Sequence, residues 1–430
     1  MRVAIIGSGI AGLATAHLLY RDHEITLFES DSRVGGHVHT VEIESKHGMI
    51  NIDTGFIVYN EQNYPNFVKL IQELDIQTQP SSMSFSVRLA NPDLEYNGST
   101  LRQLFVDKRN LFRPWFYKML RDILRFNRMA PDAIDGRPTN WSLRELLDEH
   151  GFSQPFIEYY LVPMGAAIWS TPVTQVLDIP ARFFIQFFEN HGMLTVDDRP
   201  EWRVIKGGSC QYVKEIIKPF ADRIRLNHTV RQVERFPDHV TVDGERFDEV
   251  VFACHSDQAL EILKDPSPAE RSVLGAIPYQ ANEVVLHTDT SLLPRRRQTW
   301  AAWNYHSSGP LGNNGPVALT YNMNILQALN VADTFCVTLN DSSSINDEDV
   351  LERFEYHHPL FTLEGIAAQK RHTEISGIAH THYCGAYWGY GFHEDGLNSA
   401  LPSLARSGWW YEERDLRRSR APQKVHSGTP

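Results

Sequence analysis

The chain has 430 residues, of which 42% are hydrophobic and 22% are charged, and its formal net charge at pH 7 is −12. This length predicts two domains, and the negative charge argues against general nucleic-acid binding. The four cysteines are far apart and no apolar stretch is long enough to span a bilayer, so we expect a cytoplasmic protein with reduced thiols and no metal site.

The first predicted elements are a buried parallel strand, Val3–Ile6, and an apolar helix that follows the sequence Gly7-Ser8-Gly9-Ile10-Ala11-Gly12. In a G-x-G-x-x-G turn of this kind, Gly7 permits the tight turn and Gly9 lets the backbone approach a pyrophosphate. Gly12 lets the helix pack closely on the strand. The phosphates are expected at the helix N-terminus, where free N–H groups favour anions.

A second predicted strand, Ile25–Phe28, ends at Glu29, where an acid accepts hydrogen bonds from a ribose 2′-OH and disfavours a 2′-phosphate. NAD and FAD therefore remain as candidates. Arg33 and the pair Gly35-Gly36 complete the pattern E-x-x-x-R-x-G-G, which is typical of flavoproteins of the glutathione-reductase and amine-oxidase type. The arginine offers a cation to the diphosphate, and the glycines offer a second turn of bare backbone.

The middle of the chain is predicted to be sheet and helix. Ser209 follows Gly207-Gly208 and is a plausible N-cap for a helix over residues 211–220. Asp243-Gly244 predicts a hairpin between two alternating segments, and Val250–Ala253 predicts another buried strand.

A basic amphipathic helix is predicted over residues 114–129, after Pro114. From Arg102 to Met129, eight Lys or Arg residues stand against two Asp residues, a local charge of +6 in a chain of −12. Apolar side chains lie on one predicted face (Phe112, Phe116, Met119, Ile123) and cations on another (Lys118, Arg121, Arg125, Arg128). Two interpretations stay open: a solvated surface helix, or peripheral contact with a membrane.

Two further segments are rich in aromatic residues. Phe183, Phe184, Phe187 and Phe188 recur at helical spacing, which is typical of core but also of a cavity wall. Residues 384–396, "CGAYWGYGFHEDG", combine four glycines with four aromatic residues, which favours a binding loop over a regular element. Pairs of nearby histidines have no acid or cysteine set beside them, so no metal site is predicted.

Several stretches together make the chain resemble the flavin-containing amine-oxidoreductase superfamily, which includes amine oxidases, protoporphyrinogen oxidase and phytoene desaturases. They are "DTGFIVYNEQNYPNF", "SMSFSV", "AAIWSTP", "ENHGMLTVDDRPEWRVIKGGS" and "CGAYWGYGFHEDG". The nearest resemblance is to predicted FAD-binding proteins that also occur as the N-terminal domain of plant cyclopropane-fatty-acid synthases.

The resemblance implies an α/β fold in which a Rossmann-like FAD-binding domain, of the glutathione-reductase/amine-oxidase type, interlocks with an α+β substrate domain. The FAD-binding domain is expected to comprise residues 1–56, 201–270 and 376–415. The substrate domain is expected to comprise residues 57–200 and 271–375, and residues 416–430 are expected to form a flexible tail.

The resemblance also implies the cofactor, FAD, and the residues around it. The expected FAD contacts are Gly7, Gly9, Ile10, Ala11, Gly12, Glu29, Ser30, Arg33, Gly35, Gly36, His37, Gly55, Val230, Gly385, Asp395, Gly396 and Leu397. Trp169, Trp202, Tyr387, Trp388 and Tyr390 are expected to face the flavin or the substrate. His393, with Glu394, is a candidate for moving a proton, and the alternative is that His393 shapes its loop.

The function implied is an FAD-dependent oxidoreductase that transfers hydride from a C–H bond to flavin N5. The basic helix favours a lipid acyl chain as substrate, with desaturase-like or isomerase-like chemistry. A flavin amine oxidase acting on a soluble amine remains an alternative. So does a non-catalytic FAD-binding partner of a lipid-modifying enzyme.

Overall fold

The computed structural model describes residues 1–45, 48–195, 200–307 and 318–406. Its strands are β1 (Arg2–Ile6), β2 (Glu24–Phe28), β3 (Thr40–Ser45), β4 (Gly48–Asp53), β5 (Val58–Asn60), β6 (Thr78–Pro80), β7 (Phe85–Leu89), β8 (Leu94–Asn97), β9 (Trp202–Ile205), β10 (Ile224–Arg225), β11 (Val233–Phe236), β12 (His239–Val242), β13 (Glu245–Phe247), β14 (Glu249–Phe252), β15 (Tyr279–His287), β16 (Trp303–Ser307), β17 (Leu319–Asn322), β18 (Cys336–Leu339), β19 (Val350–Pro359) and β20 (Thr381–Tyr383). Its helices are α1 (Ile10–Leu19), α2 (Pro65–Glu73), α3 (Leu101–Leu104), α4 (Pro114–Ala133), α5 (Leu143–Glu149), α6 (Gln154–Phe156), α7 (Val162–Trp169), α8 (Ala181–Asn190), α9 (Cys210–Ile217), α10 (Ser256–Ile262), α11 (Pro268–Leu274), α12 (Met323–Leu326), α13 (Leu363–Gln369) and α14 (His393–Arg406).

The first sheet is parallel throughout, in the order β10-β2-β1-β14-β20. All five strands come from the segments predicted for the FAD-binding domain. The central strand buries Val3 and Ile5 with helix α1 on one face, and Ala4 and Ile6 in a separate core cluster. Both faces of β1 are buried in apolar cores, as the continuous apolar run in its sequence predicts.

The second sheet has seven strands in the order β19-β15-β18-β17-β16-β7-β8. Its strands come from residues 85–97 and 279–359, within the two segments predicted for the substrate domain. All its pairings are antiparallel except that of β16 with β7.

Three small sheets complete the strand pairing. The hairpin predicted at Asp243-Gly244 is confirmed, since it joins β12 to β13 and both residues have positive φ, 49° and 83°. Strand β9 pairs with β5 and β6 rather than with the five-stranded sheet. The segment from Trp202 therefore connects the two predicted domains.

The predicted helix 114–129 is confirmed and extends to Ala133. The helix predicted over 211–220 ends earlier, at Ile217, and a 3-10 turn, Lys218–Arg223, follows it. Pro219 explains the change, because proline has no N–H to donate to the preceding turn. The final helix begins at His393, inside the segment 384–396 that is predicted to be a binding loop, so only the first part of that segment is loop. The predicted tail lies outside the described residues.

No helix within the described ranges has both the length and the hydrophobicity required to cross a bilayer. The largest core cluster lies instead between the middle helices and the seven-stranded sheet. It buries Phe116 of α4, Phe156 of α6, and Phe184, Phe187 and Phe188 of α8. The phenylalanines of α8 are thus core, and some of them also reach the site described next.

Candidate active site

The turn between β1 and α1 is built from close approaches that only glycine allows. A Cβ atom on Gly12 would stand 1.9 Å from the Gly7 carbonyl oxygen, and Gly7 has a φ of 103°. A Cβ atom on Gly9, in contrast, would meet nothing within 4 Å. Gly9 immediately precedes Ile10, the first residue of α1, so the open side of the turn lies where a helix N-terminus favours an anion.

Glu29 ends β2 and holds this turn in place. Its carboxylate accepts hydrogen bonds from the Ser8 backbone N–H (3.0 Å) and from the Ser8 hydroxyl (2.5 Å). The Asp31 N–H (2.9 Å) and the Ser30 hydroxyl (3.2 Å) donate to its other oxygen. A carboxylate has about four acceptor positions. The expected bonds to a ribose would therefore share this group with the glycine turn.

A second bare turn packs on the first. Gly35 and Gly36 both have positive φ, 120° and 56°, and a Cβ atom on Gly36 would stand 3.0 Å from the Cα of Gly9. Arg33 donates to the Val38 carbonyl at 3.1 Å, so its guanidinium lies over the same turn. The two glycine segments that the sequence separates by 26 positions, from Gly9 to Gly35, therefore face each other.

Asp53 joins two more segments to these turns. Its fully buried carboxylate accepts bonds from the Ser209 N–H (2.9 Å), the Ser209 hydroxyl (3.1 Å) and the Thr40 hydroxyl (2.5 Å). Burial raises the pKa of Asp53 to about 7, against the opposing effect of these bonds. Ser209 is the N-cap residue of α9, as predicted, but its side chain makes no capping bond, because its hydroxyl bonds with the Asp53 carboxylate and the Phe56 carbonyl.

Gly55 and Val230 occupy two other expected cofactor positions. A Cβ atom on Gly55 would stand 2.1 Å from the carbonyl oxygen of His37, so only glycine fits there. Val230 is buried among Phe28 and Val233 on the face of the sheet opposite α1. Its contact with the adenine stays a prediction.

The start of α14 packs directly on the start of α1. A Cβ atom on Gly396 would stand 2.6 Å from Cγ2 of Ile10, which is why this position is small. Leu397 is buried in the same core cluster as Ile10 and Ala11. Two helix N-termini therefore converge, and their dipoles add where the expected FAD contacts at the start of α1 and of α14 lie.

Asp395 and Gly385 shape the loop before α14. The Phe392 N–H donates to the Asp395 carboxylate at 2.9 Å, and burial raises the pKa of Asp395 to about 7. A Cβ atom on Gly385 would stand 2.3 Å from the ring of Tyr387. The strand before this loop, β20, ends at Tyr383.

His393 is held rigidly between aromatic partners. Its ring stacks on Phe56 with a centroid distance of 3.5 Å and an interplanar angle of 5°. Its Nε2 lies 2.7 Å from the Tyr212 hydroxyl, and burial lowers the pKa of His393 well below the usual value. This neutral, fully enclosed imidazole fits the loop-shaping alternative, and its part in proton transfer stays a prediction.

Glu394 has a clear structural use. Its two carboxylate oxygens accept bonds from the backbone N–H groups of Asn66 (3.0 Å) and Phe67 (2.9 Å), in the first turn of α2. Helix α2 has no side-chain cap from its own N-cap residue, Tyr64. Glu394 therefore caps α2 from the other end of the chain.

Four of the predicted site residues carry a buried polar atom without a hydrogen-bond partner in the described part of the chain. They are His37 (Nε2), Trp169 (Nε1), Tyr387 (hydroxyl) and Trp388 (Nε1). An unpartnered buried donor costs about 1–3 kcal/mol. FAD is rich in acceptors, namely its phosphates, hydroxyls and ring carbonyls, so a bound FAD suits the donors of Trp169 and Tyr387 and the glycine turns around Gly9.

An aromatic cluster covers the loop that begins at Cys384. We use this name for Trp169, Phe183, Phe187, Phe361, Tyr390 and Phe392. Phe183 lies 4.6 Å from Tyr390, Phe187 lies 5.1 Å from Phe392, and Trp169 lies 4.8 Å from Phe187, between ring centroids. The two aromatic segments of the sequence therefore meet at the start of α14. Trp388 lies elsewhere, beside the core on the sheet face opposite α1.

His191, which the sequence analysis did not single out, borders this cluster. Its ring stacks on Phe187 at 3.9 Å and lies 6.1 Å from Trp202 and 5.9 Å from Phe392. Its Nδ1 lies 2.9 Å from the Phe187 carbonyl oxygen. Because a carbonyl only accepts, Nδ1 carries the proton and Nε2 keeps its lone pair. Burial lowers the pKa of His191 to about 4, so the ring is neutral.

A second group of histidines lies near the glycine turns. The ring of His37 is 5.5 Å from His358 and 6.2 Å from His255. Burial lowers the pKa of His37 and His255 to about 4 and that of His358 to about 3. Across the described ranges, no three or more His, Cys, Asp or Glu side chains are arranged to hold a metal ion.

Comparison with known proteins identifies the family of this chain. The family described as flavin containing amine oxidoreductase matches residues 10–323. The chain is 21% identical to an L-amino-acid oxidase of Pseudechis australis over 399 residues, which are 80% of this chain and 71% of the relative. It is 25% identical to the flavin-containing amine oxidase A of Equus caballus, over 56% of this chain and 46% of the relative. The chain thus spans about half the length of that amine oxidase.

Solved structures show the same fold. Cyclohexylamine oxidase from Brevibacterium oxydans superposes with a TM-score of 0.68 at 14% identity, covering 95% of this chain and 98% of that one. A fatty acid isomerase from P. acnes superposes with a TM-score of 0.66 at 14% identity, covering 94% and 98%. With the matched family model spanning most of the chain, this protein belongs to the flavin-containing amine oxidoreductase family and is an FAD-dependent oxidoreductase.

Proposed function

We propose that this protein oxidises a C–H bond of an apolar substrate, a lipid acyl chain. The aromatic cluster carries the proposal. Its six members, from Trp169 to Phe392, are all uncharged, and they surround the start of α14 where the redox end of FAD is expected. The six side chains offer an ammonium group no carboxylate, and the Asp395 carboxylate beside them already accepts a bond from the Phe392 N–H. A buried unpaired charge is costly.

Bound FAD supplies the two-electron acceptor for a hydride equivalent from carbon. The residues around the expected FAD site contribute in three ways. The N-terminus of α14 faces the site with its positive dipole end, and Gly396 keeps that end close to α1. The aromatic cluster excludes water and packs against methylene groups. His191 offers a lone pair at Nε2.

We assign the proton acceptor to His191. Forming a carbon–carbon double bond removes a hydride from one carbon and a proton from its neighbour, and the proton goes to Nε2. The bond from Nδ1 to the Phe187 carbonyl fixes the tautomer that leaves Nε2 basic. Since the pKa of His191 is lowered to about 4, this base is unprotonated at neutral pH.

The variant His191→Asn tests this assignment. An asparagine side-chain amide sits where Nδ1 sits and keeps the donor to the Phe187 carbonyl, while the base at Nε2 is removed. We expect anaerobic flavin reduction to slow by roughly 100-fold or more, with FAD content and thermal midpoint unchanged. His239→Asn is the matched control, because His239 also stacks on a phenylalanine, at 4.5 Å from Phe236, far from α14 in sequence. Equal rates for both variants would remove His191 from the reaction.

Amine oxidation is the second candidate, and the names of the relatives favour it, since they include amine oxidases and L-amino-acid oxidases. An anaerobic panel separates the two. Acyl phospholipids and free fatty acids are mixed with the FAD-loaded protein in parallel with benzylamine, putrescine and L-amino acids. Flavin bleaching by the acyl compounds alone supports the proposal. Bleaching by an amine alone would contradict it and would support amine oxidation. A flavin that no compound bleaches would favour the non-catalytic alternative.

A further inference from the structure

We propose that the surface formed by helix α4 and the turns before it docks on an anionic phospholipid bilayer. The docking surface, as we define it, consists of exposed apolar side chains (Leu101, Leu111, Phe112, Tyr117, Leu124) and exposed cations (Arg102, Lys108, Lys118, Arg121, Arg128). It is an interaction surface, separate from the redox site, and the proposal does not depend on the identity of the substrate.

The apolar part of the docking surface is concentrated. Five of the twelve large exposed hydrophobic side chains found in the described residues lie between positions 101 and 124. Phe112 is 84% exposed and Leu101 is 76% exposed, the two highest values among those twelve. A phenylalanine side chain left in water forgoes the favourable free energy of its burial. Such side chains on a folded surface point to a contact that covers them.

The charged part of the docking surface is purely cationic. Both acids between residues 101 and 129 are buried, since the side chains of Asp107 and Asp122 are 2% and 1% exposed. Asp107 pairs with Arg109 at 2.7 Å, and Asp122 accepts a bond from the Ser153 N–H at 3.0 Å. Arg102, Lys108, Lys118 and Arg128 form no ion pair within the described part of the chain. Their charge is therefore available to a partner.

Helix geometry places these two kinds of side chain together. Positions 118, 121, 124 and 128 follow one another at intervals of three and four, and position 117 lies four residues before 121. The five positions therefore form one stripe along α4, and all are exposed. The opposite side of α4 buries Phe116, Met119 and Phe126 in the core. Ile123 is half-buried beside that core.

Two details of the predicted helix need correction. Arg125 does not belong to the exposed stripe, because its guanidinium lies 4.1 Å from the ring of Phe152 and donates to the His150 carbonyl. Phe112 is not part of the apolar helix face, because it ends a 3-10 turn, Lys108–Phe112, before the helix starts. It projects from the end of the stripe instead.

Charge complementarity selects an anionic bilayer as the occupant. The chain carries −12 overall, so an anionic surface repels most of the protein and attracts the docking surface. Exposed Phe and Leu side chains beside Lys and Arg are the composition of interfacial elements, in which apolar groups enter the acyl boundary and cations meet lipid phosphates. Helix α4 contacts α8, so docking brings the aromatic cluster near the bilayer surface.

Vesicle co-sedimentation of the full-length, FAD-loaded protein tests the proposal. The vesicles are phosphatidylcholine alone, or phosphatidylcholine with phosphatidylserine. We expect binding to the anionic vesicles only, and weaker binding as salt is raised. The variant Lys118→Glu/Arg121→Glu should weaken the partition coefficient by more than roughly 25-fold, about fivefold for each cation removed. Phe112→Ser should weaken it by roughly tenfold.

Matched variants on other faces serve as controls. Lys69→Glu/Lys370→Glu makes the same charge change elsewhere, and Ile378→Ser removes another exposed apolar side chain. Both should bind vesicles as the wild type does. Unchanged FAD content and thermal midpoints show that every variant is folded. Equal binding to neutral vesicles, no binding at all, or equal losses for the controls and the docking-surface variants would overturn the proposal.

Discussion

Replacing Gly9 with alanine should weaken FAD binding without lowering the stability of the fold. Gly9 has φ −63° and ψ 178°, which alanine adopts without strain, and its Cβ atom would meet nothing within 4 Å. We therefore expect the free energy of unfolding of the FAD-free protein to change by less than about 1 kcal/mol. The new methyl group would stand in the open space where the diphosphate of FAD is expected.

The expected loss of FAD affinity follows from the bonds at the helix N-terminus. A hydrogen bond from a backbone N–H to a charged group contributes about 1.5–3 kcal/mol. Displacing the diphosphate enough to lose one such bond weakens FAD binding by roughly 10- to 150-fold. Titration of the FAD-free protein with FAD measures the affinity, and urea unfolding measures the stability.

Two other glycines give the controls. Gly98→Ala makes the same change in a turn where the nearest atom, the Phe85 carbonyl oxygen, is 3.9 Å from the new Cβ, and it should alter neither quantity. Gly12→Ala places a Cβ atom 1.9 Å from the Gly7 carbonyl oxygen and should lower both stability and FAD affinity. An unchanged FAD affinity in Gly9→Ala would refute the placement of the diphosphate at this turn.

Three further predictions concern stability. His37, His255 and His358 have lowered pKa values, so the unfolded chain binds more protons at these residues between about pH 4 and 6.5, and their contribution to stability falls as pH decreases, whereas the raised pKa values of Asp53 and Asp395 act in the opposite direction. His255→Gln should therefore lower the slope of the unfolding free energy against pH by about 1 kcal/mol per unit near pH 5 in urea unfolding, and an unchanged slope would contradict it. Glu394→Ala should cost about 1–2 kcal/mol by uncapping α2, and a smaller loss in Glu394→Gln than in Glu394→Ala is required for the capping role. Tyr212→Phe should lower the free energy of unfolding by about 1–3 kcal/mol, because it leaves the buried imidazole of His393 without its hydrogen-bond partner. An unchanged thermal midpoint would exclude the bond between Tyr212 and His393.

The sequence predicts the local parts of this molecule well. The predicted strand, turn and helix around Gly9 are confirmed. They could be predicted because each depends on residues within about twenty positions of one another. The hairpin at Asp243-Gly244 is local in the same way, since it needs two residues that tolerate positive φ. The amphipathic helix from Pro114 follows from its own period.

Contacts between distant segments could not be predicted in the same way. Asp53 and Ser209 are 156 residues apart, so the hydroxyl that looks like a helix cap in the sequence is used elsewhere. Glu394 caps a helix 328 positions earlier in the chain. His191 has no motif of its own, because its environment is assembled from α8, β9 and the loop before α14.

A single-turnover experiment tests most directly whether this protein oxidises a lipid acyl chain. The FAD-loaded protein is mixed without oxygen with a dilute acyl phospholipid in vesicles, the visible flavin absorbance is followed, and the lipid is then analysed by mass spectrometry. We expect bleaching together with one lipid molecule, two hydrogens lighter, for each FAD reduced. An unchanged lipid, with bleaching obtained only from an amine, would contradict it.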